Sequence, residues 1–135
     1  MNIFLDSSVL LAACGRATGA SRAVIDQSAT RGWTLLTSSY VIDEVEINLK
    51  KLGEAAINEW PLLKVRLHVV PDILSFHWVN VFAPAKDRPI LFTAAAFSDV
   101  LLTLDRRDFG ELFGGAFYGL AILKPGTFLA NMQET

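Results

Sequence analysis

The sequence predicts a single α/β domain, a three-layer α/β/α sandwich around a mainly parallel sheet of about five strands. Short and nearly continuous apolar runs alternate with helical patterns along the chain, which is typical of a parallel sheet covered by helices on both faces. The chain has 135 residues, of which 52% are hydrophobic and 19% charged. That length suits one hydrophobic core and is short for two ordinary domains. We therefore expect residues 1–135 to form one domain.

The first part of the chain alternates two predicted strands with three predicted helices. NIFL, at residues 2–5, predicts the first strand, and Ser7 or Ser8 offers the N-cap of a helix through VLLAA. Ser21 can cap a second helix, RAVIDQSATR, which Gly32 closes. A second strand is predicted at residues 33–38. The helix from about residue 40 to 52 has an apolar stripe at spacings of four, four and three, formed by Val41, Val45, Leu49 and Leu52.

The second part repeats this alternation. EAAINEWPLL predicts a short helix interrupted at Pro61, and RLHVV a third strand at residues 66–70. Residues 72–86 show no pattern that we can assign. PILFTAAAF, at residues 89–97, predicts a helix with proline in its first turn, where the missing N–H does no harm. Strands at residues 99–104 and 121–124 and a short helix over TFLANM complete the pattern.

Composition limits the classes of function. The chain carries 12 basic and 14 acidic residues, a net charge of −2, so a polyanionic substrate would need a local basic patch or metal ions. Cys14 is the one cysteine, and its apolar neighbours favour a small buried residue over a nucleophile. No apolar run approaches the roughly 18 residues of a membrane span, and the N-terminus lacks the basic start of a signal peptide. We expect a cytoplasmic protein. The mean hydropathy of +0.38 leaves room for an apolar surface that a partner covers.

Four carboxylates are predicted to meet at one edge of the sheet. Asp6 ends the first strand and Asp105 follows the fourth. Glu44 lies in the first turns of the helix that leaves the second strand, and Asp87 precedes the helix that leads into the fourth. Because sites in open parallel sheets form at the carboxyl ends of the strands, these four side chains should lie close together.

Four acids in one place repel one another unless a cation neutralises them. Oxygen-only ligands suit Mg²⁺ or Mn²⁺, which bind substrate phosphates and activate water. The pattern therefore favours metal-dependent hydrolysis of a phosphodiester.

Several acidic residues have alternative roles. Asp6 and Asp87 could each be a helix cap only. Glu44 competes with Glu46, which also flanks the apolar stripe, whereas Asp43 points away from the core. Two further acids have roles to assign: Asp99, which opens its strand at the opposite edge and is predicted to be structural or solvated, and Asp108, which could join the metal site or cap a short helix.

Five stretches together resemble the PIN-domain family, of the kind found as VapC-type ribonuclease toxins of toxin–antitoxin systems: MNIFLDSSVLLAA, LLTSSYVIDEV, KDRPILFTAAA, LLTLDRRDF and ILKPGTFL. The resemblance implies a Mg²⁺- or Mn²⁺-dependent endoribonuclease with RNA as its substrate. It also implies an acidic site that matches Asp6, Glu44, Asp87 and Asp105 here, with Ser7 placed to position a metal-bound water or a phosphate. A small cognate antitoxin and a homodimer are further implications.

Arginines near the predicted site are candidates for phosphate contacts. They are Arg16, Arg22, Arg88, Arg106 and Arg107. One rival function is an aspartyl-phosphate phosphatase with Asp6 as nucleophile, but it requires a second aspartate where Ser8 stands. A receiver-type module is similarly disfavoured, since VVPD supplies only a weak acceptor site. The alternative that remains is a catalytically silent PIN-like module that binds RNA or protein without cleaving it.

Overall fold

A computed structural model describes residues 1–73, 88–105, 116–117 and 119–133, without the side chains of residues 88, 116 and 117. The first range holds β1 (Asn2–Leu5), α1 (Ser7–Gly15), α2 (Ala20–Arg31), β2 (Thr34–Ser38), α3 (Ser39–Asn48), a 3₁₀ segment (Leu49–Leu52), α4 (Glu54–Lys64) and β3 (His68–Val70). The later ranges hold α5 (Arg88–Phe97), β4 (Val100–Leu102), β5 (Ala116–Phe117), β6 (Leu120–Leu123) and α6 (Pro125–Gln133).

The strands form one sheet in the order β3-β2-β1-β4-β6-β5. All neighbouring pairs are parallel except β5 with β6. Phe4 in the central strand β1 is in register with Leu36 of β2 and Leu101 of β4. The predicted α/β/α sandwich with five parallel strands is confirmed, and the two-residue antiparallel strand β5 is an addition that the apolar pattern did not indicate.

Burial explains why the strand signals are continuous rather than alternating. Ile3, Phe4 and Leu5 have no exposed surface, because the sheet is covered on both faces. Full burial of side chains of this size stabilises a fold by about 1.5–3 kcal/mol each. The core therefore fixes β1, and with it the residue that follows β1, in the centre of the molecule.

Two helix starts differ from the predictions. Asp6, not Ser7 or Ser8, is the N-cap of α1, and its Oδ1 accepts a hydrogen bond from the Ser7 N–H at 2.8 Å. Ser21 was predicted to cap α2, but that helix begins one residue earlier with Gly19 as its N-cap. Gly32 closes α2 in the left-handed region, at φ 71°, as predicted.

Pro61 does not interrupt α4, contrary to the prediction. The ring removes one helical N–H, whose acceptor would be the Ile57 carbonyl, but Pro61 and Ile57 both lie on the exposed face of the helix. Water can serve that carbonyl, while the buried side chains of Trp60 and Leu63 hold the helix on the core. The predicted helix over residues 40–52 ends as a 3₁₀ segment in which Leu52 is 46% exposed, so the apolar stripe stops at Leu49.

Across the described ranges, no helix combines the length and apolar character needed to cross a bilayer.

Candidate active site

Asp6 lies at the carboxyl end of the central strand and is almost fully buried, with 3% of its surface exposed. Its backbone N–H donates to the Leu102 carbonyl at 3.1 Å, which extends the ladder between β1 and β4 by one residue. The residue is thus fixed by the sheet on one side and caps α1 on the other.

The Asp6 carboxylate has hydrogen-bond donors on both oxygens. Besides the Ser7 N–H on Oδ1, Oδ2 accepts from the Ser8 hydroxyl at 2.9 Å and from the Thr103 hydroxyl at 2.7 Å. A carboxylate that accepts several bonds is oriented and favoured in its ionised form. Asp6 therefore caps α1 with one oxygen, while its second oxygen accepts from the hydroxyls of Ser8 and Thr103. The sequence had left open whether Asp6 was a helix cap only.

Burial raises the pKa of Asp6 above its usual value. The hydrogen bonds from Thr103, Ser8 and Ser7 act in the opposite direction, and the negative charge of Glu44 raises the pKa further. The net effect is that ionising Asp6 in the folded chain carries a cost. A divalent cation beside Asp6 would relieve that cost, because an opposite charge favours the ionised form.

Glu44 reaches Asp6 through Ser7. The Ser7 hydroxyl donates a short hydrogen bond to Glu44 Oε1, while the backbone N–H of the same residue binds Asp6. The half-buried Glu44 is placed on α3, whose first turn is capped by Ser38. The amide of Asn48 donates to the Glu44 carbonyl at 2.8 Å.

The two competing acids of α3 face elsewhere. Glu46 Oε2 accepts from the Trp60 indole at 2.9 Å and from Lys64 at 3.1 Å. The Trp60 bond, followed by the Lys64 bond, lowers the pKa of Glu46. Asp43 is exposed. The structure brings Glu44, and neither neighbour, to Asp6.

Asp105 is joined to this group through its backbone. Its N–H donates to the Thr103 hydroxyl at 3.1 Å, and that hydroxyl in turn donates to Asp6. The Leu104 N–H donates to the Ser8 hydroxyl at 3.0 Å. The chain leaving β4 is therefore tied to the start of α1 by two hydroxyls.

The other predicted site residues are described incompletely. Asp87, Asp108, Arg106 and Arg107 lie outside the described residues, and Arg88 opens α5 with a side chain that is not described. Among the residues that are described, no three His, Cys, Asp or Glu side chains are grouped so as to hold a metal ion. The part of the candidate site that can be described is the pair of Asp6 and Glu44 with Ser7, Ser8 and Thr103.

Two residues that were not assigned to the chemistry, and one phosphate-contact candidate, have partners or surroundings away from the acidic group. Asp99 Oδ2 accepts from the Asn2 N–H at 2.8 Å at the opposite end of the strands, a contact that suits the predicted structural role. Cys14 is buried, and burial raises its pKa to about 11. Arg22, a candidate for a phosphate contact, instead forms ion pairs with two acids, Asp26 and Glu59, at 3.2 Å each.

Ser8 and Thr103 contact Asp6 but were not predicted to do so. A signal was present in each case. Thr103 is a polar residue at the end of a buried apolar strand, where it has no exposed surface, and a buried hydroxyl needs a partner. Ser8 stands two residues after Asp6, the spacing at which a serine hydroxyl can reach back to an N-cap side chain.

No protein-family model matches the chain, and a search of curated protein sequences finds no match. Solved structures do match. VapBC2 from Rickettsia felis, crystallised with a DNA fragment from its promoter, is 15% identical with a TM-score of 0.63, over 90% of this chain and 97% of that one. PAE2754 from Pyrobaculum aerophilum is 18% identical with a TM-score of 0.65, over 100% of this chain and 91% of that one. VapC20 from Mycobacterium tuberculosis, described as a sarcin-ricin loop cleaving toxin, is more distant, at 16% identity and a TM-score of 0.49 over 84% of this chain and 96% of that one.

The first two similarities extend over nearly the full length of both chains, and at this level of identity they establish the fold. The chain has a VapC-type PIN-domain fold, as the sequence motifs indicated.

Proposed function

We propose that this protein is a divalent-metal-dependent endoribonuclease that hydrolyses RNA phosphodiester bonds with four carboxylates, Asp6, Glu44, Asp87 and Asp105. One observation carries the proposal. At the carboxyl edge of a VapC-type sheet, Ser7 joins the buried Asp6 to Glu44. Two acids held together at that edge are of little use to stability, because like charges repel, but they suit a cation.

The donors at this site fit Mg²⁺ or Mn²⁺. They are carboxylate and hydroxyl oxygens, which hard divalent ions prefer, and no nitrogen or sulfur ligand lies among the described residues of the group. Asp6 and Glu44, with Asp87 and Asp105 as the remaining oxygen ligands and Asp108 as an additional candidate, would hold the ion. When bound, it supplies activation of water and stabilisation of charge on the phosphate.

The chain's own groups prepare the site before substrate arrives. Ser7 positions Glu44, and the Ser8 and Thr103 hydroxyls fix the direction of the Asp6 carboxylate. Hydrogen bonds of this kind typically orient metal ligands. Water then attacks phosphorus in line, an oxygen–phosphorus bond forms, and the opposite ester bond breaks. Arg88, Arg106 and Arg107 are proposed to bind the substrate phosphates, with Ser7 as a further contact.

We also propose that the protein is a cytoplasmic toxin that forms a homodimer and is held by an antitoxin. VapBC2, which shares the fold, was crystallised with promoter DNA. Several large apolar side chains here are strongly exposed: Ile47 at 71%, Leu62 at 63%, Val65 at 83% and Val69 at 52%. Where such side chains adjoin in one patch, they suit a surface that a protein partner covers.

The deciding experiment is cleavage of a fluorogenic single-stranded RNA during titration with Mg²⁺ or Mn²⁺. We expect cleavage that rises with the metal, stops in EDTA, and falls at least 100-fold in Asp6→Asn. Asp26→Asn is the matched control. Asp26 lies on α2, is half exposed, and forms ion pairs with Arg22 and Arg66, so its substitution removes a carboxylate away from Asp6. Cleavage at the wild-type rate by Asp6→Asn would refute the site. A silent binding module predicts RNA binding with no metal-dependent cleavage at all.

A further inference from the structure

A second feature lies beside the candidate active site, a cleft of about 180 Å³. Leu104, the residue between Thr103 and Asp105, forms one wall. The other walls come from the end of α1 and from the first turns of α2 and α6, with Arg16, Gly19, Ser21, Pro125 and Gly126 among the lining residues.

Neither helix that opens into the cleft has a side-chain cap from a described residue. Gly19, the N-cap of α2, has no side chain to accept from the first turn. In α6 the Phe128 N–H donates to the Lys124 carbonyl, which makes Lys124 the N-cap residue, and a lysine side chain has donors only. The two ends are adjacent, since a Cβ at Gly126 would lie 3.9 Å from Ala20 Cβ. Uncapped N-termini present N–H groups and a partial positive charge to the same space.

Two side chains add to this arrangement. Ser21 lines the cleft and is only 6% exposed, and none of the hydrogen bonds between described residues involves its hydroxyl. Buried hydroxyls normally have a partner, so this one is available to a ligand. Among the described lining residues Arg16 is the charged one; it is exposed and forms no ion pair with any described acid. Every polar group in this set can donate, and no described residue of the lining carries a carboxylate.

We propose that this cleft binds a phosphate of the RNA strand next to the one that is cleaved. The proposal rests on the ribonuclease function proposed above and adds a subsite to it. Donors from two helix N-termini, a free hydroxyl and a guanidinium suit the oxygens of a phosphodiester.

The position of the cleft favours a nucleotide strand over a separate small anion. Leu104 lines the cleft, and its N–H binds Ser8, whose hydroxyl binds Asp6. Ala12, on the near wall, lies about 7.5 Å along α1 from Ser7 by helical rise. The cleft and the acidic group therefore face the same edge of the sheet, close enough for one strand to contact both.

The test measures binding of a labelled single-stranded RNA by fluorescence anisotropy in EDTA, so that turnover plays no part. We expect Arg16→Gln to weaken binding about ten-fold and to reduce the slope of log affinity against log salt by about 0.7, the value for one lost phosphate contact on a single strand. Arg31→Gln is the matched control. Arg31 is the last residue of α2, at the opposite end of that helix from the cleft and beside Trp33, and its loss should change affinity less than two-fold.

A second variant separates binding from folding. Gly19 has φ −81° and ψ 169°, and a Cβ there meets only ordinary contacts at 3.7 Å or more, so Gly19→Asp is tolerated and caps α2. We expect its melting temperature to rise while RNA affinity falls at least ten-fold, because a carboxylate takes the place of the phosphate. Gly19→Asn should raise the melting temperature as well but weaken RNA binding less.

The outcomes distinguish the two proposals. Unchanged affinity in Arg16→Gln and Gly19→Asp, alongside metal-dependent cleavage by the wild type, would overturn the subsite and leave the ribonuclease standing. Equal losses of RNA affinity in Arg16→Gln and Arg31→Gln would also overturn the subsite. So would inorganic phosphate that binds in the cleft and is not displaced by RNA. The expected pattern of affinities without any cleavage would refute the ribonuclease, and would keep phosphate binding in the cleft while overturning its role beside a cleaved bond.

Discussion

The Thr103 hydroxyl donates a 2.7 Å hydrogen bond to Asp6 Oδ2, joining residues that are 97 positions apart in sequence. The bond connects the ends of two neighbouring parallel strands, β1 and β4. It also lowers the pKa of a carboxyl group that burial raises. This single hydroxyl therefore links the geometry of the sheet to the charge state of the candidate site.

Replacing Thr103 by valine should move the acid limb of activity to higher pH. The variant keeps the shape of the side chain but removes the hydrogen bond, so the pKa of Asp6 rises further and more acid-side activity is lost. The measurement is the pH profile of kcat/KM for RNA cleavage. Thr37→Val is the matched control, since that buried hydroxyl donates to the Leu5 carbonyl and not to a carboxylate. Both variants should lose about 1 kcal/mol of stability, and equal pH profiles would contradict the role of Thr103.

Glu44 and Glu46 provide a comparison within one helix. Glu44→Gln should lower metal affinity and reduce cleavage at least 100-fold, because a neutral amide is a poor ligand for a hard cation. Glu46→Gln should leave cleavage within two-fold of wild type. Its partners are Trp60 and Lys64, and the ion pair is about half exposed, so the loss in stability should stay below about 1 kcal/mol. Calorimetric titration with Mn²⁺ and the cleavage rate are the measurements, and a reversed order of the two variants would move the site to Glu46.

The edge strand β3 is mostly exposed, but the fold was predictable because β1, β2 and β4 are largely buried. Such strands have no polar alternation, and residues 2–5 and 33–38 stand out as apolar runs that match β1 and, to within one residue, β2. The strand predicted at residues 99–104 was too long. Thr103 turns its hydroxyl to Asp6 and Leu104 is 42% exposed, so β4 is only Val100–Leu102.

The carboxylates were predictable from topology, and their hydrogen-bond partners were not. Asp6 and Glu44 follow two neighbouring strands, so the rule for parallel sheets places them together. Ser8 and Thr103 reach Asp6 through side-chain directions that depend on the exact register of β1 and β4. Serine and threonine occur at many helix starts and strand ends, and their spacing alone does not single out these two.

Asp99 should prove to be structural. Its carboxylate accepts from the Asn2 N–H, and its own N–H donates to the Asn2 carbonyl at 2.9 Å, so it holds the starts of β1 and β4 together. Asp99→Ala should cost about 1 kcal/mol in urea unfolding, because the hydrogen bond is exposed. Metal affinity and cleavage rate should remain those of the wild type. A loss of metal binding in this variant would show that the acidic site extends to the other edge of the sheet.

Cys14 should be unreactive in the folded protein. It is 5% exposed, and its pKa is raised to about 11, so only about one thiol in a thousand is ionised at pH 8. We expect a thiol-specific reagent to label the native protein at least 100-fold more slowly than the urea-unfolded chain. Cys14→Ala should retain RNA cleavage and lose about 1 kcal/mol of stability for the smaller side chain. Fast labelling that abolishes cleavage would instead place this thiol at the site.

Asp6→Asn should stabilise the metal-free protein. The pKa of Asp6 is raised in the folded state, so this carboxyl makes the free energy of unfolding fall as pH rises from the unfolded pKa, about 3.9, through the folded one. Asparagine does not titrate and so makes no pH-dependent contribution to the free energy of unfolding. Its amide oxygen can still accept from the Ser7 N–H, and its amide nitrogen can donate to the hydroxyls of Ser8 and Thr103, because hydroxyls also accept.

The stability difference between Asp6→Asn and wild type should therefore be smallest near pH 4 and grow toward neutral pH, where the variant melts a few degrees higher. Saturating Mn²⁺ should reverse the order, since a ligand at 100 times its Kd stabilises the wild type by about 2.7 kcal/mol and the variant much less. Melting curves at several pH values, with EDTA or Mn²⁺, measure both effects, with Asp26→Asn as the control for loss of a carboxylate elsewhere. If Mn²⁺ raised the melting temperature of both proteins equally, the cation would bind at a place other than Asp6.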